Sequence, residues 1–424
     1  MQTTTINARC QQSLTIANYV RDRRMIMPQH KLILDVGCGD GSSTVMLAQA
    51  NPGARIVAID QRSELITLAQ QRSSGLKLKY GNVIDFQVMA IENLPELGLK
   101  FDFINCGESF YLEANLTTAL QAIGLVLAEQ GIIHLKLPSF YDRANFLRGQ
   151  ELASYIGLIE DDAPGIAEAE VMAELLQSMY PTIGLRDTTL SAAQLTDPEL
   201  VRANFLIPGD RGFTIPDLFG LIEAAGLTFN QMTNWHQWQL SNLFRTGQGI
   251  PALIQQKITK ASAAELLHIY ELLNPVHPWL DCWCSLPQQL ETIKSPSLSQ
   301  PLAEWDQQTW QSAIVHLNPQ LKTQELATQI QTAIANLSPL AITDHFNLTS
   351  TQPLQLLPQD TILLRMLWSQ PRRGEELIEL WQQVRPIDLL TFQPISTEAA
   401  FEQIRRSLLN LEQLLLILVE SAIS

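Results

Sequence analysis

No stretch of the chain limits its fold more than Leu32 to Ala50, LILDVGCGDGSSTVMLAQA. Leu32, Ile33, Leu34 and Val36, interrupted only by Asp35, suit a parallel strand covered on both faces, which shows no polar alternation. The strand stops at Gly37. Gly37-Cys38-Gly39-Asp40-Gly41 then make a turn whose missing side chains permit positive φ and let a ligand lie against bare main chain. Ser42 and Ser43 are placed to cap the helix that follows. A dinucleotide fingerprint needs G-x-G-x-x-G, whereas the third glycine here falls at 41 and position 42 is Ser, which disfavours NAD and FAD.

LDVGCGDG resembles the first motif of the class I S-adenosylmethionine-dependent methyltransferases. The resemblance implies that the turn, through Gly37, Cys38, Gly39 and Gly41, carries the methionine part of S-adenosyl-L-methionine, and that Asp35 lies near its amino group. The next unit, RIVAIDQRSELITLAQ, fits the same pattern. Its apolar strand Ile56 to Ile59 ends in Asp60, with Gln61 beside it. A carboxylate at a strand's carboxyl end accepts hydrogen bonds from both ribose hydroxyls and repels a 2′-phosphate, which also disfavours NADP. Tyr80-Gly81-Asn82-Val83-Ile84-Asp85-Phe86 sits where the family has a glycine, an acidic and a small residue that meet the adenine. Asn82, in place of the usual Asp, still offers an amide oxygen to the adenine amino group, and Val83 is expected beside it. Phe101 to Glu108, FDFINCGE, reads as the fourth strand and its exit loop, beside which the methyl group lies, with Cys106 at the strand's end. GIIHLKL, Gly131 to Leu137, reads as the fifth.

From Lys31 to Leu137 strands and helices alternate, which predicts a Rossmann-like, mostly parallel, doubly wound α/β sheet with right-handed crossovers and a ligand at the strands' carboxyl ends. Asp35, Asp60, Asn82 and Cys106 are expected to meet there. The length of 424 residues exceeds one compact core, so two domains are expected: a methyltransferase domain over residues 1–240 and a mainly α-helical C-terminal domain over 241–424. Within the first, residues 138–212 read as a mainly helical insertion forming a lid or substrate wall. The sheet pattern resumes at FTIPDLFGLIEAAGLTF, where Thr214 caps a helix, Pro216 sits in its first turn and Gly226 ends it before a sixth strand. Leucines at three- and four-residue intervals in AELLHIYELL, TILLRMLW and FEQIRRSLLNLEQLLLILVE mark the C-terminal helices, separated by joints such as Pro353 to Pro358. The layout also resembles a bacterial group in which a class I methyltransferase carries a long C-terminal region, sometimes called regulatory.

A net charge of −15 disfavours a nucleic-acid partner, which needs a basic field. The polar start MQTTTINARC lacks the apolar core of a signal peptide, and no run reaches membrane-spanning length, so the expected location is the cytoplasm. The longest apolar run, Leu414 to Val419, is expected to face a helix partner. Five scattered cysteines suit a reducing compartment. Cys282-Trp283-Cys284, near His277 and Asp281, lacks the second pair a zinc site requires, so no metal is assigned; the stretch HPWLDCWC reads as a tryptophan-rich core seam.

Methyl transfer from a sulfonium is an in-line displacement in which the protein mainly positions the reactants. A general base serves when the nucleophile must lose a proton; Glu108 is the first candidate, with Tyr111 and His134 behind it. Tyr19, in a helical stretch Leu14 to Met27 that lies across the cofactor mouth in the resembling family, and Tyr141 and Arg143, at the entrance of the insertion, are substrate-side candidates. Arg143 is suited to clamp a carboxylate or phosphate, or to pair with a neighbouring acid. Three functions fit: a methyltransferase acting on a small-molecule acceptor, a protein methyltransferase, and a non-catalytic S-adenosylmethionine-binding regulator. The sequence does not fix the oligomeric state.

Overall fold

The computed structural model describes residues 6–74, 81–159, 165–245, 249–287, 301–342, 355–388 and 392–421. Tyr80 and residues 353–354 of the two stretches quoted above lie outside these. The chain opens with two short helices, α1 (Ile6–Gln11) and α2 (Leu14–Asp22), followed by β1 (Leu32–Val36), α3 (Ser42–Ala50), β2 (Arg55–Asp60), α4 (Ser63–Ser74), β3 (Val83–Val88), β4 (Phe101–Cys106), α5 (Leu116–Val126) and β5 (Leu127–Pro138). After the insertion come α10 (Ile215–Ala224), β6 (Thr228–Met232), α11 (Ala252–Ile258), α12 (Ala263–Leu273) and β7 (Trp279–Ser285). Seven strands form one sheet in the order β3-β2-β1-β4-β5-β7-β6, with β7 antiparallel to both its neighbours.

This is the doubly wound Rossmann-like sheet expected from the strand and glycine pattern. The seventh strand comes from beyond residue 240. Trp279–Ser285, expected as a core seam of the C-terminal region, threads between β5 and β6 and lines both faces: Trp283 joins the core on one side, Cys282 and Cys284 that on the other. A strand buried on both faces carries no alternation by which to find it.

The chain leaves the sheet at Ser139 and returns at Phe213. There the Phe140 N–H donates to the Phe213 carbonyl (2.8 Å) and the Phe213 N–H to the Pro138 carbonyl (2.8 Å). Gly212 permits this approach, since a Cβ there would stand 2.5 Å from Phe140 Cα. Between these points α6 (Phe140–Tyr155), α7 (Ile166–Ser178), α8 (Gly184–Asp187) and α9 (Pro198–Phe205) bury their own small core, including Ala153, Met172, Leu176, Val201 and Phe205. Thr214 caps α10 by accepting from the Asp217 N–H, and Asp217 returns the bond to the Thr214 N–H (2.8 Å).

Beyond residue 301, helices α13 (Gln307–Ser312), α14 (Gln324–Asn336), α15 (Pro358–Met366), α16 (Gly374–Val384) and α17 (Thr397–Gln413) surround a three-stranded antiparallel sheet of β8 (Ile314–Leu317), β11 (Arg372–Arg373) and β12 (Ile417–Glu420), with a two-residue pair, β9 (Leu340–Ala341) and β10 (Gln355–Leu356), beside them. The region is therefore not helical throughout. The run Leu414 to Val419 does not continue the helix: Leu415 takes φ 53°, and Ile417 to Glu420 pair with β8. Leucine-rich sequence serves either element, and the β-branched Ile417 and Val419 favour the strand.

One continuous core joins this region to the sheet. It runs from Ile33, Phe103, Ile132 and Trp283 through Leu14 and Ile16 of α2 to Val315, Leu408 and Leu418. Tyr19 lies inside it rather than at a ligand mouth: its hydroxyl donates to Glu412 Oε1 (2.8 Å) and accepts from the Val419 N–H (3.1 Å). Burial, and then the Glu412 carboxylate, push this phenol well above its usual range.

Candidate active site

Gly37, Gly39 and Gly41 all adopt positive φ (65°, 53° and 80°). A Cβ at Gly41 would stand 2.8 Å from Ala69 Cβ, and one at Gly37 2.8 Å from Ser109 Oγ, whereas one at Gly39 would meet nothing within 4 Å. The turn is thus fixed by close packing at its ends and open at its middle. The Cys38 N–H donates to the Ile59 carbonyl (2.9 Å) and the Gly39 N–H to Asp60 Oδ2 (3.0 Å), which tie it to β2. Cys38 contributes only main chain; its side chain packs on Ala58 and Ile66.

Asp60 ends β2 at the wall of a cleft of about 270 Å³ lined also by Gly37, Gln61, Met89, Ile91 and Glu113. Its carboxylate accepts from the Arg62 N–H (3.0 Å) and from Arg62 Nε (3.1 Å). Burial pushes this carboxyl up, but the Arg62 guanidinium and the backbone donors outweigh it and hold it below the usual carboxylate range.

Asp35 is fully enclosed. Its Oδ2 accepts from Ser43 Oγ (3.0 Å) and Thr44 Oγ1 (2.6 Å), its Oδ1 from Asn105 Nδ2 (2.7 Å). Burial raises its carboxyl despite these three donors. Ser43 is therefore spent on Asp35 and not on capping; the residue before α3 is Gly41, in the left-handed region, with no side-chain cap.

Asn82 and Val83 lie away from this cleft, contrary to the expectation that they meet an adenine. They open β3, at the amino edge of the sheet, where Asn82 Nδ2 donates to the carbonyls of Asn51 (2.8 Å) and Ala54 (3.2 Å) and Val83 is exposed. Met89 and Ile91, just past the strand's carboxyl end, line the cleft instead. Apolar residues after a strand carry no signature, so the sequence did not point to them.

Residues 29–181 match the family model described as a methyltransferase domain. The chain carries a class I S-adenosylmethionine-dependent methyltransferase domain. An uncharacterized protein of Synechococcus is 28 % identical over 248 residues, 57 % of each chain. A trans-aconitate 2-methyltransferase of Delftia acidovorans is 25 % identical over 131 residues, 31 % of this chain and 47 % of that one. The chain thus spans about half the length of these relatives. The solved structure of PKMT2 from Rickettsia typhi shares the fold over 100 % of this chain and 77 % of its own, with TM-score 0.62 and 12 % identity. The same protein in complex with AdoHcy gives TM-score 0.60 at 13 % identity, over 96 % of this chain and 76 % of its own.

On the methyltransferase domain, the fourth-strand exit loop carries Glu108, exposed and ion-paired with Lys136, whose Nζ lies 4.6 Å from the centre of the Trp279 ring. Tyr111 is buried with its ring edge toward Trp279 (6.3 Å). Burial, then Asp210, raise its hydroxyl above the usual range. Arg143 pairs with Asp210 (2.6 Å), the acid partner foreseen as one of its two roles, and Tyr141 stands beside it in the first turn of α6 with its ring against Phe140 (5.4 Å). His134 is removed from the mouth: it is buried and both ring nitrogens are engaged, so no substrate proton reaches it. Cys106 is likewise sealed in the core, its thiol raised well above the usual range by burial. Among the described residues no three His, Cys, Asp or Glu converge as metal ligands, and no helix is long and apolar enough to cross a membrane.

Proposed function

We propose that this cleft binds S-adenosylmethionine and that the chain transfers its methyl group to a small-molecule acceptor. The observation that carries the reading is Asp60, a carboxylate at the carboxyl end of β2 beside main chain laid bare at Gly39. Two acceptor oxygens there suit a vicinal diol, Met89 and Ile91 offer apolar walls to a flat base, and Gln61 lines the rim. The open middle of the glycine turn leaves room for the methionine part. When bound, the cofactor supplies a methyl group already activated by sulfonium charge.

The remaining work is placement of the acceptor. Glu108, Tyr111 and Trp279 flank the β4 exit loop, and a second cavity of about 420 Å³ opens between α6 and Ile207–Gly212. That cavity stands open to solvent, and its size suits a small acceptor. Glu108 is the residue here with an exposed carboxylate positioned to take a proton from an attacking hydroxyl or ammonium. We assign the catalytic unit the whole seven-stranded sheet, through Ser285, with the insertion as its acceptor wall.

Calorimetry with S-adenosylhomocysteine tests the carrying observation. Asp60→Ala is expected to weaken binding about 10- to 100-fold, the worth of charge-assisted hydrogen bonds; unchanged affinity removes the assignment. Labelled-methyl transfer into a cell extract, sorted by molecular size, then separates acceptors. Label in the small-molecule fraction supports the reading, label in protein replaces it with a protein methyltransferase, and tight binding without transfer replaces it with a regulator.

A further inference from the structure

Four side chains form an unbroken buried row across four neighbouring strands. Asp35, Asn105 and His134 stand at matching register positions on β1, β4 and β5, and Asp281 follows on β7. Asn105 Nδ2 and Asp35 Oδ1 are 2.7 Å apart, His134 Nδ1 and Asn105 Oδ1 2.8 Å, and His134 Nε2 and Asp281 Oδ1 2.6 Å. All four residues are at most 6 % exposed.

The protons of this row can be counted. Three contacts require three hydrogens. The Asn105 amide supplies one, to whichever neighbour its nitrogen faces, and a neutral imidazole supplies one more. If both carboxylates are ionised, one contact is left with two lone pairs facing each other in a buried site. Flipping the amide only moves the vacancy along the row. With both carboxylates ionised, a third proton completes the row, and the ring is the one member left to hold it. The charged and titratable groups facing the ring are Asp35 on β1, Asp281 on β7 and, two residues along its own strand, Lys136, held by Glu108. On the helix side the uncharged Gln11 carbonyl accepts from Nε1 of Trp283 (3.1 Å), the register partner of His134 on β7, and the Arg21–Asp22 ion pair of α2 reaches β5 at the Gln130 carbonyl (3.2 Å).

We propose that His134 is held as an imidazolium and is a positioning residue of the cofactor cradle: it fixes Asn105, Asn105 fixes Asp35, and Asp35 pins Ser43 and Thr44 at the start of α3, immediately after the glycine turn. The positioning half of this inference rests on the cleft being the S-adenosylmethionine site; the proton count does not. It also explains a histidine in a place where a catalytic base is useless.

Two measurements on the full chain decide it. With ¹⁵N-labelled histidine, the His134 signals, assigned by their loss in His134→Phe or His134→Gln, are expected to show a hydrogen on both ring nitrogens at pH 8, above the ordinary histidine range. A bare ring nitrogen at that pH overturns the imidazolium. Asp281→Asn supplies the third hydrogen from its own amide, so its ring should become neutral while S-adenosylhomocysteine affinity stays within about twofold. A ring still doubly protonated in that variant also overturns the count. By calorimetry His134→Phe is expected to bind S-adenosylhomocysteine about tenfold more weakly; wild-type affinity overturns the positioning role. Should His134→Phe not fold, Asn105→Leu cuts the same row one link nearer Asp35 and carries the same expectation. If the wild-type chain binds no S-adenosylhomocysteine at all, the reading of the cleft falls with the positioning role, and the ring signals still judge the proton count.

Discussion

Asp60 shows how one residue at the cleft wall is held by its neighbours. Its oxygens are occupied by Arg62, a side chain 61 % exposed, and by main-chain donors of the turn. The Arg62 contact is a solvent-exposed latch worth little to stability, yet a diol would compete with it. Arg62→Ala is therefore expected to leave the denaturation midpoint unchanged and to tighten S-adenosylhomocysteine binding up to about threefold; weaker binding would make Arg62 part of the site instead. At this scale the sequence marked residues where chemistry and strand position coincide: Asp60 stands at the cleft and the three glycines take positive φ. It misled at Asn82, because an amide after a glycine looks like the family motif whichever end of the strand it occupies. The Asp35 to Asp281 row was invisible, since residues separated by up to 246 positions meet only through register.

Elements β1 to β6 were legible because each strand is flanked by its own turn and helix. β7 was not: it follows a helical stretch and has no exposed face. The loop that delivers it holds a second sequence-remote feature. His277 stacks on Trp238 (4.4 Å) and its Nε2 has no hydrogen-bond partner. Burial, opposed only in part by the Gln237 backbone and reinforced by His236, holds His277 down to about 4. A folded state that refuses a proton the unfolded chain accepts is stabilised above the unfolded value, and that stability is lost as pH falls from about 6.5 toward 4. His277→Phe keeps the stacking and removes the titration. Urea denaturation between pH 7 and 4 is expected to show a shallower loss of stability in this variant, by about 3 kcal/mol at the acid end; parallel curves would clear His277 of the effect.

Over the whole molecule, the division into two domains read from length meets a structure in which one core runs from the sheet through α1 and α2 into the C-terminal sheet. Tyr19 is the hinge of that continuity, bonded to Glu412 and Val419 across nearly the full sequence. Tyr19→Phe leaves Glu412 without its hydroxyl donor and is expected to cost about 1–3 kcal/mol. Denaturation should remain a single transition in both forms if the core is shared, and two separated transitions would mean that the C-terminal region folds independently. Sequence periodicity placed α12, α15 and α17 but could not reveal this union, because apolar residues that bind two regions look the same as those that fill one.

The paired bonds at Phe140 and Phe213 bring the insertion's exit and return to one point. Whatever hangs from that clasp can change in length or identity while the strands beneath stay paired, provided Arg211 keeps its bonds to the Tyr111 and Glu113 carbonyls. Selection for a new methyl acceptor can accordingly rework the 140–212 segment as an exchangeable attachment while the donor half of the molecule stays as it is.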